Sequence, residues 1–174
     1  MSLRSPDWPR PLPTRVVLGL ATLAPLGRLP APGTWGAAFG LLVFAAAIRG
    51  RPWPGDGEIA ALAAALGWVA AGICGEAEVR LSRTDPPGVI LDEFVAMPLC
   101  FLGWPGLRLA LPAWAVLLLG FGLFRLFDIL KPLGIRRLQA LPGGWGVVID
   151  DTAAAIATCA ALHVVAWVVT ASGA

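Results

Sequence analysis

The sequence predicts an all-α membrane protein, a polytopic helical bundle of about four to five transmembrane helices with short or tilted spans. Three observations predict it: an apolar excess, long stretches almost without charge, and a one-sided distribution of the charges that remain. Hydrophobic residues make up 57% of the 174 residues and charged residues 14%, against roughly 45–50% and about 25% in ordinary globular proteins. A soluble domain of this size cannot hide that surplus, so the surplus needs lipid. One domain is expected, with 1–14 as a cytoplasmic N-terminal tail and 15–174 as the membrane domain.

The tail holds Arg4 and Arg10 among Pro6, Pro9, Pro11 and Pro13. No apolar core directly follows its basic part, so it reads as a short, poorly ordered cytoplasmic segment and not as a cleavable signal. Five apolar stretches follow, at 35–48 (with the apolar run 16–26 before it), 59–75, 89–104, 107–124 and 147–171. A spanning helix needs about 20 apolar residues. The third and fifth stretches reach that length only if Asp92, Glu93, Asp150 and Asp151 are counted in. Either the helices are short and tilted, or acids sit at membrane depth facing protein or a water-lined cavity.

With a cytoplasmic N-terminus and five crossings, ten basic residues fall inside: Arg4, Arg10, Arg15, Arg28, Arg80, Arg83, Arg125, Lys131, Arg136 and Arg137. Only Arg49, Arg51 and Arg108 fall outside, a clear positive-inside bias. The same topology places Glu76, Glu78, Asp85, Asp92, Glu93, Asp128, Asp150 and Asp151, eight of the eleven acids, at the cytoplasmic helix ends. The net charge of +2 is too small to suggest a nucleic-acid partner.

Three constellations carry the chemistry. In Asp85-Pro86-Pro87-Gly88 the prolines end one helix, and a new helix from about Val89 puts Asp92 and Glu93 in its first turn, where its dipole favours negative charge. Capping accounts for one acid there, not for Glu78, Asp85, Asp92 and Glu93 together. Arg125, Asp128 and Lys131 share one helical face before Pro132 stops the helix. They form either a snorkelling ion pair at the interface or a metal-facing acid flanked by phosphate-binding cations. A glycine-rich turn at 142–146 opens the helix of Asp150 and Asp151, whose adjacent carboxylates read as divalent-metal ligands. A weaker fourth element, the loop before Trp35, offers Thr34 as a helix cap or as part of a phosphate-binding loop.

All candidate ligands are carboxylates, which suits Mg²⁺ or Mn²⁺ over zinc or copper. His163, the only histidine, falls deep in the last stretch and reads as a satisfied core residue. Cys74, Cys100 and Cys159 read as small apolar core residues, their odd count arguing against a disulfide framework. Histidine- and cysteine-nucleophile phosphatase chemistries therefore lack their residues. A divalent cation transporter or channel is the competing class, since intramembrane carboxylates also line ion paths. Transporter ligands, however, belong near the midplane.

APGTWGAAFG (31–40), DPPGVILDEF (85–94), FRLFDILKP (124–132) and GGWGVVIDD (143–151) together resemble the phosphatidylglycerophosphatase A family, in the family's order. The resemblance implies a multi-pass enzyme of the bacterial cytoplasmic (inner) membrane with its active site on the cytoplasmic side. Such an enzyme hydrolyses phosphatidylglycerophosphate to phosphatidylglycerol and inorganic phosphate and requires Mg²⁺. It places the family's acids at Glu78, Asp85, Asp92, Glu93, Asp128, Asp150 and Asp151 as metal positions. Asp92, Glu93, Asp128, Asp150 and Asp151 would be catalytic, and Thr34, Arg125 and Lys131 would bind the substrate phosphate. Ala37, Ala96 and Gly134 depart from the family's usual serine, glycine and proline without removing a charge. One carboxylate orients an attacking water as general base, or a carboxylate attacks directly; the sequence leaves this open, along with oligomeric state.

Overall fold

The computed structural model describes residues 6–132 and 134–173. Arg4, the start of the expected tail, Leu133 and Ala174 lie outside the described residues. Every regular element described is helical: α1 (Thr14–Ala21), α2 (Pro32–Ile48), α3 (Asp56–Leu81), α4 (Leu91–Ala96), α5 (Trp104–Ala110), α6 (Ala113–Leu130) and α7 (Gly144–Ala171). Tight 3₁₀ turns intervene at Leu26–Arg28, Met97–Phe101 and Ile135–Ala140.

The helices α3, α6 and α7 are long and apolar enough to cross a membrane. At 17 residues α2 is slightly shorter and extends about 25 Å at 1.5 Å per residue. These four form the outer staves, and their apolar flanks are exposed: Leu42 on α2, Leu62 on α3, Leu118 on α6 and Val164 on α7.

The third apolar stretch is not one continuous helix. It runs as α4, the 3₁₀ turn Met97–Phe101 and a left-handed Gly103 before α5. Pro98 at the start of the turn and Gly103 after it are the residues that break it. A 3₁₀ segment rises about 2.0 Å per residue, so α4 and this turn together climb about 19 Å. The broken crossing is sheathed by α2, α3, α6 and α7, with Ile90, Val95, Ala96, Met97, Cys100 and Phe101 buried. Irregular backbone is tolerated at membrane depth only under such protein cover.

Small residues on α2 make the sheath tight. A Cβ at Gly36 would lie 2.7 Å from the Ile90 carbonyl oxygen, and one at Gly40 would lie 2.7 Å from that of Phe94. Around the turn, Phe44 stacks on Phe101 at 4.8 Å, within a core that includes Met97, Leu107, Phe124 and Leu162. The Gly103 N–H donates to Asp56 Oδ1 at 2.8 Å, so the crossing ends beside the start of α3, at the end of the bundle away from Asp92.

Residues 6–13 are bound to the bundle, contrary to the expected loose tail. Trp8 stacks on Trp68 at 6.0 Å, Pro9 is buried, and Arg80 donates to the Arg10 carbonyl at 3.1 Å. His163 is also not a core residue. It is exposed on α7, its Nε2 hydrogen-bonded to the Leu102 carbonyl oxygen at 2.9 Å. Cys74 and Cys100 are buried and Cys159 half-buried, all three free.

Candidate active site

Three elements deliver carboxylates to one point. The first turn of α4 carries Asp92 and Glu93, the last turn of α6 carries Asp128, and α7 carries Asp150 and Asp151 two turns from its start. Asp85 joins them from the loop after α3, in a left-handed conformation (φ 48°). Together with Pro87, Val89, Lys131 and Val147 they line a 140 Å³ pocket. That volume is the share of four or five liquid waters at about 30 Å³ each, enough for a phosphate and an ion but not for a lipid body.

Asp92, Asp128, Asp150 and Asp151 are each at most 9% exposed. Ionised carboxylates taken out of water need cations, protons or hydrogen bonds to compensate. Two cations do part of this. Arg125 NH1 bonds Asp128 Oδ2 at 2.6 Å and lies 3.8 Å from Glu93 Oε1. Lys131 Nζ contacts Asp150 Oδ2 and lies 3.7 Å from Asp128 Oδ1.

The geometry behind Lys131 is local. It follows the last residue of α6 in a left-handed conformation (φ 44°), a strained arrangement for a residue with a side chain. The chain reverses there ahead of Pro132, and the side chain reaches α7. Burial lowers its ammonium's pKa, but the hydrogen bond to Asp150 and the charges of Asp150, Asp151 and Asp128 outweigh that and raise it overall. Lys131 is therefore a fixed cation at neutral pH.

Two cations against six carboxylates leave a deficit, and it is concentrated. Asp92, Glu93 and Asp151 bring one oxygen each within 4.8 Å of one another. Among the described residues, Glu93 Oε2 is buried without a hydrogen-bond partner, as is Arg125 Nε. An unpaired buried carboxylate oxygen in an all-oxygen donor set fits a hard divalent cation.

The remaining predicted residues stand around this centre. Glu78 does not line the pocket: its Oε1 accepts the Asp85 N–H at 2.7 Å, and with Gln139 it borders a neighbouring 270 Å³ pocket. Gln139, which the sequence reading did not single out, donates to Asp85 Oδ2 at 3.3 Å. Thr34 does not cap α2. The cap position is Ala31, in a left-handed conformation, and no side chain bonds there. Thr34 instead sits in the first turn of α2, next to Gly33, where an added Cβ would collide with Glu93 Oε1 and lie 3.2 Å from the Arg125 guanidinium. Thus the start of α2 roofs Glu93 and Arg125, and any side chain at position 33 would have to displace the Glu93 carboxylate. Glu76, another acid at this end, pairs with Arg80 at 2.8 Å and braces the N-terminal segment instead.

Comparison with known proteins identifies the family of the chain. The family model described as phosphatidylglycerophosphatase A matches residues 19–166. A phosphatidylglycerophosphatase A of Haemophilus influenzae is 34% identical over 128 residues, covering 73% of this chain and 74% of that protein. The Escherichia coli protein of the same name is 31% identical over 94 residues, 52% of this chain and 51% of its own length. A Bacteroides thetaiotaomicron protein with the provisional name phosphatidylinositol-3-phosphatase is 39% identical over 90 residues, 49% of this chain and 52% of that protein. The chain thus spans about half the length of two of these three relatives. No solved structure matches it.

Proposed function

Since the chain belongs to the phosphatidylglycerophosphatase A family, we propose that its acidic pocket hydrolyses phosphatidylglycerophosphate to phosphatidylglycerol and inorganic phosphate, with Mg²⁺ as cofactor. The observation that carries this reading is the clustered group Asp92, Glu93 and Asp151, its two aspartates buried, with Arg125 and Lys131 beside it.

Asp92, Glu93 and Asp151 would hold the ion, with Asp128 and Asp150 adjoining. Bound there, Mg²⁺ supplies charge neutralisation and polarisation of the phosphate. Arg125 and Lys131 bind the phosphate oxygens, and the carboxylates that already hold these two cations fix their aim. A pocket carboxylate takes the proton of the attacking water. The new bond forms between that water's oxygen and phosphorus, the ester bond to the glycerol oxygen breaks, and that oxygen leaves with the proton the carboxylate took up. The diacylglycerol part stays outside, because the pocket admits only a headgroup phosphate.

We place the protein in the bacterial cytoplasmic membrane with this end facing the cytoplasm. The cations Arg28, Arg83, Arg136 and Arg137 support this, as they all lie on the segments that join the helices at the acidic end.

The deciding assay is phosphate release by purified protein from phosphatidylglycerophosphate, phosphatidic acid and phosphatidylinositol 3-phosphate. Phosphatidylglycerophosphate should be hydrolysed with Mg²⁺, silenced by EDTA and restored by added Mg²⁺. Turnover indifferent to EDTA would sink the metal. Release from the phosphoinositide alone would move the substrate to the class named for the Bacteroides relative.

A further inference from the structure

At the end of the bundle opposite the acids, two cavities meet. One is a 330 Å³ groove between the second half of α2 and the first half of α3, lined by Val43, Ala47, Leu62, Leu66, Phe94 and Pro98 among others. The other, 270 Å³, is bounded by Arg51, Trp53, Trp104 and Arg108. Ile48 and Arg51 belong to both. Here α2 and α3 both pack closely on α4 and the adjoining 3₁₀ turn, and the groove lies between them.

The groove is apolar along its length and cationic at its mouth. Arg51 and Arg108 have no acidic partner among the described residues. Arg108 donates NH1 to the Leu111 carbonyl at 2.6 Å and lies over the Trp104 ring at 5.9 Å, so its other N–H groups remain for a ligand. Of the acids at this end, Asp56 is engaged: its Oδ1 accepts from Trp53 Nε1 and the Gly103 N–H. Glu58 and Arg49 are exposed and line neither cavity.

Length decides what fits. From Gly40 to Ile48 the groove follows the second half of α2, about 12 Å at helical rise, and Arg51 stands in the turn just beyond it. Half of a bilayer's hydrocarbon core is about 15 Å. The groove with its turn therefore spans most of one leaflet, the one away from the acidic pocket, and ends where tryptophans mark an interface.

We propose that this is a binding site for an anionic glycerophospholipid of that leaflet. Its phosphate lies between Arg51 and Arg108, and one acyl chain fills the groove between α2 and α3. The site is distinct from the phosphatase pocket and stands whether or not that activity does. A lipid here fills the space between α2 and α3.

Native mass spectrometry of the detergent-purified full chain tests it, titrating phosphatidylglycerol and phosphatidylcholine with identical acyl chains in EDTA. Without metal, the six carboxylates of the acidic pocket repel an anionic headgroup, so binding there does not confuse the result. Phosphatidylglycerol should be retained about tenfold better, the scale of one charge-assisted contact. The double variant Arg51→Gln/Arg108→Gln should reduce that preference to near parity. Val43→Trp, an exposed position that tolerates a larger ring, should lower uptake of both lipids by filling the groove. Equal retention of the two lipids by the unmodified chain would overturn the proposal. So would a preference that survives the arginine substitutions, or one abolished instead by Arg136→Gln/Arg137→Gln at the other end.

Discussion

Glu78 and Asp151 are both acids of the predicted ligand set, yet the fold uses them differently. Asp151 turns an oxygen toward Asp92 and Glu93, whereas Glu78 accepts a backbone N–H and so pins the loop that presents Asp85. A glutamine at 78 keeps an acceptor oxygen; an asparagine at 151 loses the charge. Glu78→Gln should therefore retain activity within about threefold, while Glu78→Ala falls about tenfold, the worth of one hydrogen bond. Asp151→Asn should lose at least about a hundredfold. All three are checked by initial rates alongside the thermal midpoint, and equal losses in Glu78→Gln and Asp151→Asn would put Glu78 among the ligands. The residue types were legible in the sequence because hard-cation chemistry needs carboxylates. Their division was not, since it depends on the left-handed turn at Asp85 and on Gln139, neither of which has a composition signal.

Among the elements, α2 and α4 show what spacing revealed and what it hid. The span of α2 was legible as residues 35–48, and its start three residues earlier puts Gly33 against Glu93. Small residues at 33, 36, 37 and 40 form one face, but a sequence does not say which neighbour they meet. The breaks in the third stretch were written in Pro98 and Gly103, yet an apolar composition reads alike for a helix in lipid and for one wrapped in protein. Gly36→Ala is the test of the α2–α4 contact. The added methyl must push Ile90 away, at an overpacking cost of about 1–3 kcal/mol, and α4 carries Glu93 with it. The expected outcome is a lower thermal midpoint together with reduced turnover. A midpoint and rate both unchanged would mean that the two helices do not touch as described.

At the scale of the whole molecule, charge is segregated between the two ends, and this was the most legible property of all. Cations and acids gather at the end holding the pocket, while Arg49, Arg51 and Arg108 stand at the other with Asp56 and Glu58. The proposed orientation is checked with single cysteines at exposed positions in a Cys159→Ala background. In intact cells a membrane-impermeant thiol reagent should label Arg49→Cys and spare Arg137→Cys until the membrane is opened. The reverse pattern would place the pocket outside.

The broken crossing also bears on how such a chain is made. Residues 91–103 include two acids and a 3₁₀ turn, so this stretch gains little by entering lipid alone. The helices that shelter it include α6 and α7, which the ribosome has yet to deliver when it emerges. The order of synthesis is therefore not the order in which the bundle can close. This stretch must wait at the insertion machinery, or at the membrane surface, until the last two staves arrive to enclose it.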